Sequence, residues 1–458
     1  MRRPSRITLI VAGLIACFIL LGTASWALVV SEADPAPAAL ADRVTDDLPG
    51  HREVLATLLP EAPAAPVAPE APPPAPRSKA AQLKDSILAA LGTSGAQTIA
   101  ATVDVEGLGR VVDHNGSAAL VPASIQKIYT ATVALRILEP DMRYRTEVQR
   151  TGELLPDGTL QGDLTLIAGG DPFFTKADLE SLAQATAASG IRSVQGSLFI
   201  DDTRYDRIRT APGWKPSYMP RHVGPLSAMA VDLNRWNQDG AFIAEPALGN
   251  LDLFRQALAA AGVGVAGPSL LGSPPGGKTV ESRSSRPLSE IVAQMLKDSD
   301  NFAAELIVKE LGRSIGQPST AGGLSVVAKV ARDLGLEPPQ AADGSGLSLE
   351  NRATTRHQVQ WLEALGDSPS GKLLQASLPV ACGSQGPGWM NKRLCGTPAQ
   401  GRVAAKTGFL SGVRSLTGYA ETASGREIHF SIILIGSSSE QAWTALDQAL
   451  IAMSSFAG

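Results

Sequence analysis

The sequence predicts an α/β fold in which one sheet draws strands from both ends of the folded chain and an insertion occupies the middle. Two observations carry this. Strand-like alternation marks "TIAATVDVEG" and "GRVVDHNG" near one end and "RVAAKTG", "RSLTGYAET" and "EIHFSIILIG" near the other, with helical patterns between them. After residue 146 the pattern changes to short strands and turns, "RTEVQRTGELLPDGTLQGDLTLIAGGDP", which reads as the insertion. There is no internal repeat.

The elements follow in order. "MRRPSR" is basic, and residues 7–30 carry no charge, enough to span a bilayer with Arg2, Arg3 and Arg6 left in the cytoplasm. Ser25-Trp26-Ala27 would serve as a cleavage site and Leu14-Ile15-Ala16-Cys17 resembles a lipoprotein box. The apolar run continues well past Cys17, which disfavours lipidation, and an uncleaved anchor is preferred to a cleaved signal. Either way the chain is expected to be extracytoplasmic, in the cell envelope, membrane-anchored or secreted. Eleven prolines between Pro35 and Pro76 make residues 31–79 an extended, semi-rigid spacer.

Folded sequence begins near Ala80, where "AAQLKDSILAAL" reads as an amphipathic helix. "VPASIQKIYTATVALRILEP" reads as a buried helix. "KADLESLAQATAASG" and residues 252–260 read as helices of the insertion, and residues 288–312, 320–334 and the stretch from Glu440 as helices of the main domain. The domain scheme is an anchor at 1–30, a linker at 31–79, a main domain at 80–145 and 287–458, and an inserted domain at 146–286.

Composition excludes several classes. With 44% hydrophobic residues in 458, the chain can bury a sizeable core, and its net charge of -4 offers no polycationic patch for nucleic acid. Five histidines lie scattered without ligand spacing, and only Cys382 and Cys395 stand outside the N-terminal apolar run, so no metal or cofactor is predicted. "GVGVAG" matches G-x-G-x-x-G, but it follows a helix and runs into Pro268. A dinucleotide fingerprint needs strand, turn and helix in that order, so this is a loop leaving a helix.

The chemistry is carried by three short motifs. Ser124 and Lys127 lie one turn apart at the head of the buried helix and so share a face. Taken alone they read as a helix cap with a snorkelling lysine. Ser299-Asp300-Asn301 at the entry of a second helix reads alone as an N-cap, and Lys406-Thr407-Gly408 at the end of a strand as a turn. The ordered set S-x-x-K, S-D-N, K-T-G, each in the appropriate secondary structure, is specific to penicillin-binding proteins and class A β-lactamases. Its residue types suit attack on an amide. A serine hydroxyl needs a neighbour to accept its proton, and Lys127 qualifies once desolvation and the charge of Lys406 lower its pKa. Ser299 can relay a proton to the leaving amine, and Asn301 can hold Lys127 and the substrate amide. Lys406 and Thr407 can bind a terminal carboxylate, while Gly408 lets backbone approach the substrate. The N–H groups of Ser124 and Phe409 would form an oxyanion hole.

With "PASIQK", "GDLTLIAGGDP", "APGW", "VDLNR", "SDNFAAE", "ADGSGLS" and "KTGFLSGVRSLTGY" spread over residues 82–456, the sequence resembles the S13 (DacB, penicillin-binding protein 4-like) D-alanyl-D-alanine carboxypeptidases. The resemblance implies a penicillin-recognising serine transferase fold, β-lactamase/transpeptidase-like, with helices packed on an antiparallel sheet. It also implies removal of terminal D-alanine from peptidoglycan stem peptides, endopeptidase action on cross-links, and acylation of the same serine by β-lactams. Ser124 would then be the nucleophile and Lys127 its base, with Ser299, Asn301, Lys406, Thr407 and Gly408 completing the motifs. A β-lactamase and a non-catalytic peptidoglycan-binding relative are the alternatives. The long interval from Ser124 to Ser299 disfavours the first, and six intact motif residues disfavour the second. Three positions depart from the family: Phe409 replaces the usual Thr or Ser after K-T-G, Tyr218 stands near where some relatives carry an aspartate, and residues 235–286 are short for the full insertion.

Cys382 and Cys395 in "VACGSQGPGWMNKRLCGT" suit a disulfide bracing a glycine-rich loop in an exported protein, the alternative being two free thiols. "ADGSGLS" reads as a tight turn near the site, structural before catalytic.

Overall fold

The structure is a computed structural model that describes residues 78–458 apart from 238, 384–389 and 438–439. The expected anchor and most of the expected spacer therefore lie outside the described residues. Among those described, no helix is long and apolar enough to cross a membrane.

Helix α1 (Lys79–Gly92) opens the described chain, its first turn capped by the Ser78 hydroxyl, which accepts from the Ala81 N–H at 3.2 Å. Strands β1 (Thr98–Val105) and β2 (Gly109–His114) follow as an antiparallel pair, and then helix α2 (Lys127–Ile137). Residues 127–135 of α2 are buried on every side, so this is a core helix with no solvent face.

The middle of the chain builds two further sheets. Strands β3 (Arg145–Arg150), β4 (Glu153–Leu154), β5 (Thr159–Gln161) and β6 (Leu164–Ile167) precede helix α3 (Lys176–Ala188), whose Thr175 and Asp178 form a capping box. Strands β7 (Ser193–Val194) and β8 (Leu198–Asp201), helices α4 (Gly240–Ala244) and α5 (Pro246–Ala260), and strands β9 (Gly264–Val265), β10 (Ser269–Leu271) and β11 (Lys278–Ser284) complete it. The sheet orders are β10-β8-β6-β3-β11 and β4-β5-β7-β9. "GVGVAG" does leave a helix, as expected, but Gly264 and Val265 are a short strand paired in parallel with Ser193 and Val194. Val148, Leu166, Leu198 and Phe254 form the core here, and it continues into the next helices through Phe302 and Leu306.

Helices α6 (Leu288–Asp298), α7 (Asn301–Arg313), α8 (Thr320–Asp333), α9 (Thr355–Leu365) and α10 (Pro369–Ser377) lead to β12 (Val403–Leu410), β13 (Val413–Glu421), β14 (Glu427–Ile435) and helix α11 (Glu440–Ser454). The principal sheet runs β12-β13-β14-β1-β2, all antiparallel, and β1 meets β14 with Thr98 opposite Ile435. One sheet thus joins the two ends of the described chain, as the patterning predicts. Helices α1 and α11 cover one face over Leu83, Ile87, Phe430 and Leu446, and α2, α6, α7 and α9 build the other side around Ile128, Val292, Ile307 and Trp361. Covered on both faces, β14 reads as the continuous run "FSIILI" rather than as strict alternation.

Helix α7 is tied to the residues that follow β8 by charge as well as by packing. The fully buried Glu310 carboxylate accepts from Arg204 and from the Tyr205 hydroxyl, each at 2.9 Å, and Lys309 pairs with Asp206.

Cys382 and Cys395, 13 positions apart, form a disulfide just before β12. Closing so short a loop stabilises by about 3 kcal/mol through the entropy removed from the unfolded chain. Replacing both cysteines with serine is expected to lower the thermal midpoint by roughly 5 °C. A midpoint equal to that of the parent protein would show that the bridge braces nothing.

Candidate active site

The Ser124 turn is held in an unusual backbone conformation. Ser124 lies in a one-turn 3-10 segment, Ala123–Gln126, that runs directly into α2, and Ala123 has a left-handed φ of 53°. A non-glycine residue there costs on the order of 1 kcal/mol and persists only where its surroundings impose it. They do so from two sides. The Ser415 hydroxyl on β13 donates to the Pro122 carbonyl at 2.6 Å. Gly346, itself at φ 81°, packs so closely that a Cβ would fall 1.9 Å from the Ala123 carbonyl oxygen.

The join between 3-10 turn and α-helix sets Lys127 beneath Ser124. The Lys127 amine is completely buried and lies 3.1 Å from Ser124 Oγ, 2.8 Å from Asn301 Oδ1 and 2.6 Å from the Ser345 carbonyl. None of these partners is a carboxylate. Loss of hydration pushes its pKa down to about 8, against the opposing pull of Asp343, Asp300 and Glu305.

The second motif sits where α6 hands over to α7. Ser299 adopts a left-handed conformation, φ 55°, which ends α6, and Asp300 caps α7 by accepting from the Ala303 N–H at 2.8 Å. This corner aims Asn301 at Lys127 and Ser299 at the third motif: Lys406 donates to Ser299 Oγ at 2.9 Å and to its neighbour's carbonyl, Thr407, at 2.7 Å. Lys406 is also buried, and desolvation, with a smaller contribution from the charge of Lys127, pushes its pKa well down.

Gly408 is required by contact. A Cβ at this position would lie 2.0 Å from Ser415 Oγ and 2.9 Å from the Pro122 carbonyl, the two atoms that fix the Ser124 turn. Thr407 is half-buried. Phe409 is 62% exposed, and its ring stacks on the Arg414 guanidinium at 4.0 Å. The structure thus brings Ser124, Lys127, Ser299, Asn301, Lys406, Thr407 and Gly408 together at the edge strand β12. Tyr218 packs against the insertion's core and meets His222 edge-on at 5.8 Å, and the His222 carbonyl accepts from Asn301 at 3.2 Å.

Two contributors escaped sequence reasoning. The 343–348 turn is more than a structural neighbour, since its Ser345 carbonyl is a partner of Lys127. Buried Asp343 organises that turn, accepting from the Gly346 N–H at 2.8 Å, the Ser348 N–H at 2.7 Å and, across from the insertion, the Trp214 indole at 2.9 Å. Glu305, one turn past Asn301, accepts from the N–H groups of Gly344 and Ser345 at 3.0 and 2.8 Å. The quoted "SDNFAAE" and "APGW" were the available signals, but nothing local reveals their partners. Among the described residues, no group of His, Cys, Asp and Glu is arranged to hold a metal ion. A cavity of about 620 Å³ lies elsewhere, beside Asp171, Phe173 and Arg283, where Arg283 pairs with Asp178.

The profile of the D-Ala-D-Ala carboxypeptidase 3 (S13) family matches residues 80–240 and 239–455. The chain belongs to this family. It is therefore a serine-type peptidase, and its fold is that of the penicillin-recognising serine enzymes. The D-alanyl-D-alanine carboxypeptidase of Actinomadura sp. (strain R39) is 30% identical over 455 residues, which cover 82% of this chain and 84% of that protein. Carboxypeptidase DacB of Mycolicibacterium smegmatis is 32% identical over 331 residues, 68% of this chain and 70% of its own. Penicillin binding protein 4 (dacB) of Haemophilus influenzae shares the fold, with a TM-score of 0.71 at 20% identity over 82% of this chain and 98% of that one.

Gly408→Ala is expected to push β12 away from the Ser124 turn and to lower S13 peptidase activity about 100-fold, since a displacement near 1 Å is enough for that. Activity within a few-fold of the parent protein in a D-alanine release assay would contradict the close approach.

Proposed function

We propose that Ser124 is the nucleophile of this D-alanyl-D-alanine carboxypeptidase, that Lys127 is its base, and that terminal D-alanine leaves peptidoglycan stem peptides through an acyl-enzyme. The observation that carries the reading is the set of three partners around the Lys127 amine. A neutral amine has two N–H groups and one lone pair. With the N–H groups occupied by Asn301 Oδ1 and the Ser345 carbonyl, the lone pair is left facing the Ser124 hydroxyl 3.1 Å away. A pKa lowered to about 8 keeps part of the lysine in that neutral form near physiological pH.

As Ser124 Oγ attacks the scissile carbonyl carbon, its proton passes to Lys127. The developing oxyanion takes the N–H groups of Ser124 and Phe409, and β12 suits this role because an edge strand turns half of its N–H groups away from its neighbour. Collapse breaks the C–N bond, and the departing amine takes its proton through Ser299, which Lys406 orients at 2.9 Å. Water then adds to the ester by the same proton route. Lys406 and Thr407 receive the substrate's terminal carboxylate. Phe409 supplies no hydroxyl to that carboxylate, so the group rests on these two side chains. The same acyl-enzyme forms whether the leaving amine is D-alanine or the amine of a cross-link, so endopeptidase action needs no additional group. β-Lactams acylate Ser124 by the same attack.

The reading extends to place and domain plan. The basic start and uncharged 7–30 run support an envelope protein held by a membrane anchor at 1–30, with 31–79 as tether, 80–145 and 287–458 as the catalytic domain and 146–286 as the inserted domain.

Incubation with a fluorescent penicillin, followed by intact-mass measurement, is expected to give one adduct on the parent protein and none on Ser124→Ala. Lys127→Gln is expected to slow acylation about 10²–10⁴-fold, the usual contribution of a general base. A folded parent protein that takes no adduct, or a Ser124→Ala variant that does, would overturn the assignment. The acylation rate is expected to rise with pH through a midpoint near 8 and then level, because only unprotonated Lys127 accepts the proton. A rate that falls across this interval would contradict the base.

A further inference from the structure

Glu305 is fully buried on α7, one turn beyond Asn301, and the reaction as written above does not use it. Its Oε1 accepts from the backbone N–H groups of both Gly344 and Ser345, at 3.0 and 2.8 Å. Its Oε2 is sealed from solvent without a hydrogen-bond partner. An unsatisfied carboxyl oxygen is a costly thing to bury, so the two hydrogen bonds made by the other oxygen must matter to the turn they hold. The peptide unit that Oε1 grips continues into the Ser345 carbonyl, 2.6 Å from the Lys127 amine.

We propose that Glu305 is a positioning residue for acylation: by holding the two amides of the 343–348 turn it fixes the Ser345 carbonyl on one Lys127 N–H, and so aims the lysine lone pair at Ser124. The proposal rests on the reading of Lys127 as the base. Of the three acceptors around the amine, Ser124 is the reacting group and Asn301 is anchored by its helix and by the His222 carbonyl at 3.2 Å. The third acceptor belongs to a glycine-flanked loop, which has no comparable rigidity of its own. Asp343 holds this loop through Gly346, Ser348 and Trp214 and takes the Ser345 hydroxyl at 3.1 Å, and Thr130 donates to the Gly344 carbonyl at 2.8 Å, but the Gly344 and Ser345 backbone N–H groups are held by Glu305. If those amides lose their acceptor, the carbonyl can swing away and the amine can turn an N–H toward Ser124 in place of its lone pair.

The charged groups facing Glu305 are Lys127 from α2 and Asp343 from the turn. Burial first, and then Asp343, push its carboxyl up to about 8, so below that pH it is mostly neutral and does not hold the proton on Lys127. An ionised Glu305 would raise the lysine pKa, and an amide there never ionises. Below that pH, glutamine at this position therefore leaves the charge around Lys127 unchanged.

The test is the kinetics of acylation by a fluorescent penicillin, with the rate at saturation, the half-saturating concentration and the final labelled fraction measured from pH 5.5 to 9.5. Glu305→Ala is expected to label to completion with a saturating rate about 10–100-fold lower and a half-saturating concentration unchanged. Glu305→Gln, which restores an oxygen acceptor, is expected to recover most of that rate with the acid limb of the pH profile close to the parent's. An alanine variant whose labelled fraction falls while its rate stays at the parent value would reduce Glu305 to a structural role and overturn the proposal. If alanine is not tolerated, the glutamine variant decides: because it keeps the oxygen acceptor, a fully labelled glutamine variant whose saturating rate is about 10-fold or more below the parent's overturns it equally. A parent protein that is not acylated at all overturns the Lys127 reading, and this proposal with it.

Discussion

The arrangement depends on keeping one amine dry. Lys127 heads a helix with no solvent face, and its amine is surrounded by a hydroxyl, an amide oxygen and a backbone carbonyl, with no carboxylate in hydrogen-bonding contact. A carboxylate there would hold the proton on the lysine. Dipoles alone satisfy its N–H groups while leaving burial free to lower its pKa. Much else in the structure meets this requirement. Asn301 reaches the amine because Ser299 turns left-handed and ends α6 two residues earlier. Ser124 reaches it because Ala123 is forced into a left-handed conformation by Ser415 on one side and Gly346 on the other. The second lysine, Lys406, is held by its own partners, Ser299 and the Thr407 carbonyl, and the charge of Lys127 adds to the burial that lowers its pKa.

The insertion takes part in this architecture. Trp214 donates to Asp343 behind the Ser345 turn, the His222 carbonyl anchors Asn301, and Arg204, Tyr205 and Asp206 grip the outer side of α7 through Glu310 and Lys309. The helix and the turn that hold Lys127 are therefore both buttressed by residues 204–222, which follow β8. Altering that stretch would reach the chemistry through α7 and the 343–348 turn. Phe409 shows a different kind of substitution. Its exposed ring leans on Arg414, so the strand end is capped by a cation–aromatic stack where a hydroxyl would have stood.

The motif residues were legible because each marks a local structural event. Ser124 and Lys127 stand at the head of an apolar helix, Ser299-Asp300-Asn301 contains a real N-cap in Asp300, and Lys406-Thr407-Gly408 falls on a strand. The strands at both ends likewise announced a shared sheet. Ser345 and Glu305 were not legible in these roles, because Lys127 and Ser345 are 218 positions apart and the link is a backbone carbonyl, which every residue possesses. A glycine-rich turn advertises its conformation and not its partner. Strands of two to four residues, such as β7 and β9, bury too little to leave a pattern, and the helices Thr355–Leu365 and Pro369–Ser377 were not singled out although Trp361 is a core anchor.

The mechanism turns on burial lowering Lys127 far enough that part of it is a neutral amine near physiological pH, and direct titration of that side chain tests this most closely. Protein carrying ¹³C at the lysine ε-carbon, with the Lys127 signal assigned by its absence from Lys127→Arg, would be followed by NMR from pH 6 to 11. The account predicts a midpoint near pH 8 for this signal, well below the ordinary lysine range. A Lys127 signal that stays fully protonated past pH 10 would contradict it, and the base would have to be sought elsewhere in the site.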